Sequence, residues 1–113
     1  MRIAWDPNDP KGGIKAPRRV AVVGLGAVSC VGIGKEDFWR GLFAPSPVGI
    51  RRIENFDPLR WMTAKDLRRH DKFNQYGVAA AELALEDAGE LNVDPERAGV
   101  WMGNGAGGLE SLE

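Results

Sequence analysis

The sequence predicts an α/β chain built as the opening of a right-handed βαβ unit, and two observations carry that reading. A short β-branched run at 19–23 and a second apolar run at 98–102 each end in a glycine-rich loop, and the stretch between them has helical periodicity. Runs of this kind are typical of strands buried on both faces of a parallel sheet. Two strands are too few for a self-sufficient doubly wound sheet, so the core reads as incomplete.

Residues 1–17 mix Asp, Pro, Gly and Lys without periodicity and read as a flexible leader, with the domain proper at 18–113. Val20, Val22 and Val23 form the first strand, and the glycines from Gly24 to Gly34 make the following loop too glycine-rich for a helix. From Lys35 to Ala44, Phe38, Trp39, Leu42 and Phe43 share one side of a helix that Pro45 and Pro47 end. Thr63 with Asp66 resembles a capping box and opens a short helix through Arg69. Residues 71–88 carry the strongest helical pattern. There Phe73, Tyr76, Ala80, Leu83 and Ala84 share a face, three alanines at 79–81 add propensity, and Gly89 stands where a left-handed C-cap belongs. Asp94 and Pro95 signal a brief turn before the second strand, and 109–113 reads as the first turn of another helix.

Composition narrows the function. A chain of 113 residues with 43% apolar and 27% charged side chains suits one soluble globular domain. Fifteen basic and sixteen acidic residues leave no overall basic field for nucleic acid or an anionic membrane, although 51–72 is locally basic and 73–113 acidic. One cysteine, Cys30, and one histidine, His70, can form neither an internal disulfide nor a metal site by themselves, which suits a reducing cytoplasm. No apolar run reaches membrane-spanning length, and no cofactor motif is complete. The loop at 24–29 has Ser29 where a dinucleotide fingerprint needs glycine or alanine, and the loop at 103–108 lacks the Lys-Ser/Thr of a phosphate-binding loop. Glycine here more readily serves close packing than phosphate binding.

Several segments together resemble one family. Residues 18–29, then Phe38-Trp39, Gly49-Ile50 and Phe56-Asp57-Pro58, are similar in order to the start of the β-ketoacyl-acyl carrier protein synthases, type II condensing enzymes of fatty-acid synthesis. The run from Arg68 to Tyr76, the helix end at 84–89 and the glycine loop at 103–110 extend the resemblance across nearly all of 18–113. It implies part of a thiolase-like fold, in which αβαβα layers form two related halves and the enzyme is a homodimer. The reaction implied is decarboxylative Claisen condensation on malonyl-acyl carrier protein, which elongates acyl chains in fatty-acid or polyketide synthesis. Its nucleophilic cysteine, two histidines and lysine would lie beyond residue 113, so this chain alone is expected to be inactive, with no catalytic residue of its own.

The resemblance assigns roles to four residues present. Lys65, Arg68 and Arg69, spaced i, i+3 and i+4, match the basic positions with which the family docks acyl carrier protein. Ala106, at the variable position of the second glycine loop, matches a gate of the acyl pocket. Cys30 falls where the family usually has proline and reads as a buried or half-buried filler; His70 replaces a methionine and reads as a solvated helix residue. Between Asp57 and Lys65 the family carries an additional segment with a β-hairpin that is lacking here. Two other readings stand beside the enzyme part: a non-catalytic module that binds acyl carrier protein, and a nucleotide-binding βαβ protein.

Overall fold

The structure, a computed structural model, describes residues 19–45, 48–49, 51–105 and 107–108. The leader, Pro47 and the helical turn expected at 109–113 lie outside the described residues. Helices α1 (Lys35–Phe43), α2 (Ala64–Leu67) and α3 (Lys72–Ala88) form where periodicity and caps predict them, with single 3₁₀ turns at Pro58–Arg60, between α1 and α2, and at Pro95–Arg97, after α3. Asp57 and Asp94 open those two turns, each accepting a hydrogen bond from the backbone N–H two residues on, at 3.0 Å. Gly89, at φ 71°, ends α3 and returns its N–H to the Leu85 carbonyl. Among the described residues no helix is long and apolar enough to cross a membrane.

The βαβ expectation is corrected. Neither 19–23 nor 98–102 forms a strand; the described β-structure is a hairpin of two-residue strands, β1 (Val28–Ser29) and β2 (Gly32–Ile33), antiparallel and inside the first glycine loop. A β-branched run becomes a strand only when a neighbour takes its backbone hydrogen bonds, and no such neighbour stands beside either segment among the described residues. Their side chains face solvent instead: Val20 is 81% exposed, Val100 89% and Trp101 91%. Ala79, midway along α3, is the one apolar residue fully buried among those described.

The loop after the first segment and the end of the second nevertheless lie against α3. A Cβ added to Gly24 would stand 2.1 Å from the Ala84 carbonyl oxygen, and one added to Gly26 would stand 1.9 Å from that of Ala80. At the other segment, the Met102 methyl lies 2.8 Å from where a Cβ on Gly77 would be. Backbone thus rests on backbone along the Ala80–Ala84–Ala88 ridge, a contact that only glycine permits. The expectation that the first loop's glycines serve close packing is met at these two positions.

Helix α1 docks on the hairpin through its small face. Gly41 meets the Val31 carbonyl, and Gly32 meets the backbone at Asp37–Phe38. Phe38 is half-buried, but Trp39, Leu42 and Phe43 of the predicted apolar face are mostly exposed, Trp39 and Phe43 packing edge to face at 5.2 Å. The stripe is real, but among the described residues no layer lies over it. A compact aromatic group holds the middle of the chain: Phe56 stacks on Trp61 at 5.4 Å and meets Tyr76 of α3 edge-on at 4.9 Å.

Two outcomes are expected. Gly26→Ala should cost about 2 kcal/mol or more in a denaturant titration, because the clash is with a helix carbonyl that cannot swing aside, whereas Gly103→Ala, which meets nothing within 4 Å, should stay within about 0.5 kcal/mol. Equal losses would show that the close approach to α3 is not what the glycine provides. The exposed valines and Trp101 should make the purified chain self-associate with rising concentration in sizing chromatography. A monodisperse monomer with one cooperative thermal transition would contradict that.

Candidate functional site

Short-range hydrogen bonding builds the basic segment. Thr63 caps α2: its hydroxyl accepts from the Asp66 N–H at 3.2 Å and donates to the Asp66 carboxylate at 2.5 Å. In a capping box with Glu the longer side chain reaches back to the cap's N–H; the shorter Asp takes the hydroxyl instead. The acid nearest the basic residues is thereby occupied. The helix closes at Leu67, earlier than the expected Arg69, because Arg68 becomes its C-cap and the Arg69 N–H bonds back to the Asp66 carbonyl in a tighter turn. Lys65 therefore lies in α2, Arg68 at its end and Arg69 in the following turn, all three exposed. Among the described residues none of the three side chains makes an ion pair, whereas Lys35, Arg40 and Arg60 pair with Asp87, Asp37 and Glu86.

The other expected positions separate. Ala106 lies outside the described residues. His70 is exposed, but in the bend between α2 and α3 and not in a helix, and its carbonyl accepts from the Gln75 side chain at 2.9 Å. Cys30 is not the buried or half-buried filler expected; it is exposed at the turn of the β1–β2 hairpin, where the Ser29 hydroxyl ties the turn to Val31 and Gly32. A turn of two residues cannot bury its tip without a layer above it. Among the described residues no group of three or more His, Cys, Asp or Glu could hold a metal ion.

Periodicity gave no sign of the role of Asp87. It accepts from the Leu25 N–H at 3.0 Å and from the Lys35 ammonium, so one carboxylate on α3 clamps the first glycine loop and the start of α1. The Lys35 hydrogen bond, then that from Leu25, holds the Asp87 carboxyl below the usual aspartate range, and the same bond raises Lys35.

Two open clefts adjoin these elements. One, of about 800 Å³, is lined by Arg51, Arg52, Phe56, Phe73, Gln75 and Tyr76 among others; the second, of about 770 Å³, shares Arg51 and Arg52 and includes Cys30, Asp37 and Glu54.

Comparison with known proteins points to one family. The chain is 42% identical to 3-oxoacyl-[acyl-carrier-protein] synthase 2 of Vibrio cholerae, 38% to that of Vibrio harveyi and 34% to that of Synechocystis, each over 85% of this chain and 27% of the relative. The chain is thus related in sequence to the 3-oxoacyl-[acyl-carrier-protein] synthases, and it spans about 27% of the length of these curated relatives. Each alignment runs for 115 positions, more than 85% of 113 residues can fill, so the relatives carry intervening residues that this chain does not. No family model and no solved structure matches the chain.

The clamp sets a pH dependence. A carboxylate with a lowered pKa stabilises the fold fully above the ordinary aspartate range and loses that contribution as pH falls through its folded value; a lysine with a raised pKa contributes below the ordinary lysine range and loses it as pH rises through its folded value. Asp87→Asn should therefore lower the melting temperature most near neutral pH, with the gap to the parent closing in acid. A gap of equal size at acidic and neutral pH, at fixed protein concentration, would rule out the charged form as the source.

Proposed function

We propose, from this kinship with the 3-oxoacyl-[acyl-carrier-protein] synthases, that the chain is part of an acyl-chain-elongating condensing enzyme and that its own contribution is to dock acyl carrier protein. The observation that carries this reading is the set of three exposed, unpaired cations at Lys65, Arg68 and Arg69, placed in a short capped helix and the turn after it. Acyl carrier protein, named as the substrate carrier of the relatives, is a partner for which such a surface is suited if its docking face is acidic.

Exposed charges of this kind steer encounter and fix orientation more than they add affinity, and salt weakens them. A flexible Lys beside two Arg forks can meet several carboxylates without demanding one geometry. Condensation itself, with its thiolate nucleophile, belongs in this proposal to residues that the 113 positions do not include, so the chain alone is without condensing activity. The nucleotide-binding reading finds no support at the first loop, where Gly24 and Gly26 are turned onto α3 and a ligand would have to displace the helix.

Reversal of all three charges by Lys65→Glu, Arg68→Glu and Arg69→Glu should weaken binding to acyl carrier protein by about tenfold at low ionic strength. Parent affinity should also fall between low and high salt. Surface-immobilised carrier protein reads both, with Arg40→Glu as a control at a basic position outside this segment. If the triple variant bound as well as the parent at low ionic strength, the docking role would be wrong.

A further inference from the structure

We infer that the larger cleft is a binding site for a small organic anion carrying an aromatic ring, with Arg51 and Arg52 taking the anionic group and the wall of Phe73 and Tyr76 taking the ring. The inference does not draw on Lys65, Arg68 or Arg69. Among the described residues Arg51 and Arg52 are exposed cations without an ion pair, adjacent in sequence and lining the same cleft. Two neighbouring guanidinium groups with no counter-ion repel one another, and an anion held between their forks offsets that repulsion while accepting several charge-assisted hydrogen bonds.

The aromatic lining is already built. Phe56 is held by Trp61 on its face and by Tyr76 at its edge, which fixes Tyr76 in place, and the Phe73 ring lies against Gly107, 2.8 Å from where a Cβ would stand. A rigid aromatic wall adds an offset-stacked or edge contact for a ring at little cost in side-chain freedom. The volume of about 800 Å³ is of the size that small ligands occupy.

The second cleft makes the contrast. It shares both arginines but adds Asp37 and Glu54, whose charges balance them, and among the described residues no aromatic side chain lines it, so it offers an anion no net attraction and a ring nothing. Carboxylate and phosphate both match the guanidinium fork, so ring-bearing examples of each separate the two sources.

Equilibrium dialysis of the full 113-residue chain tests the site, because it reads ligand bound per chain whatever the state of association. Phenyl phosphate or benzoate should bind saturably at one equivalent per chain, whichever binds more tightly identifying the anionic group. Inorganic phosphate and benzyl alcohol, each carrying half of the recognition, should bind at least about fivefold more weakly. The double variant Arg51→Ala, Arg52→Ala should lose about tenfold in affinity, while Arg40→Ala stays within about twofold of the parent. Absence of saturable binding of both ring-bearing anions would overturn the site, as would inorganic phosphate binding as tightly as phenyl phosphate, or an equal loss in Arg40→Ala. The four-ligand comparison on the parent chain decides the matter even if a variant fails to fold.

Discussion

The structure depends on one close approach, the backbone of Gly24 and Gly26 lying on the alanine ridge of α3. Carbonyl oxygens of Ala80 and Ala84 sit where any side chain on those glycines would have to be. Asp87, one turn further along the same ridge, then takes the Leu25 N–H and the Lys35 ammonium. Packing fixes how near the loop comes, and the carboxylate fixes where along the helix it stops. The β1–β2 hairpin and α1 follow directly in the chain, so their position relative to α3 derives from that pair of constraints. Loss of either would free the whole segment from 24 to 43.

What surrounds this contact is sparsely covered. Ala79 is buried, yet the valines at 20, 22, 23 and 100 and Trp101 are in water, and the indole N–H of Trp61 is buried without an acceptor. Apolar surface of that extent opposes a compact monomer, since burial of such side chains is the main favourable term in folding. The aromatic stack of Phe56, Trp61 and Tyr76 and the glycine-alanine contact supply local order in place of a continuous core.

Legibility in the sequence divides along the range of the interactions involved. Helices α1 and α3 were readable within a residue or two, because their hydrogen bonds close within four positions and their stops, Pro45 and Gly89, are local signals. The strands were not, because a valine run states a preference and only a neighbouring strand can fulfil it. The same gap explains Trp39, Leu42 and Phe43: periodicity placed them correctly on one side of α1 but could not say whether a layer would lie there. At the candidate site, the exposure of Lys65, Arg68 and Arg69 was readable from charge, whereas the early closure of α2 came from the tighter turn that the Arg69 N–H makes onto the Asp66 carbonyl. The Asp87 clamp spans 62 and 52 positions to its two donors and had no local trace.

The distribution of ion pairs gives the basic middle of the chain its meaning. Cations that join elements are paired with acids: Lys35 ties α1 to α3, and Arg60 ties the 3₁₀ turn at 58–60 to Glu86 on α3 at 3.3 Å. Arg40 meets Asp37 within α1. Exposed pairs of this kind contribute little stability individually, but they do neutralise the charges involved. Arg51 and Arg52 at the clefts and Lys65, Arg68 and Arg69 around α2, like Arg19 and Arg97, form no ion pair among the described residues, while α3 and the residues after it carry half of the acidic side chains. A chain with sixteen acidic residues could have neutralised them internally. Leaving like charges grouped at two places raises the electrostatic free energy of the isolated chain, and anionic partners at those places are what would lower it.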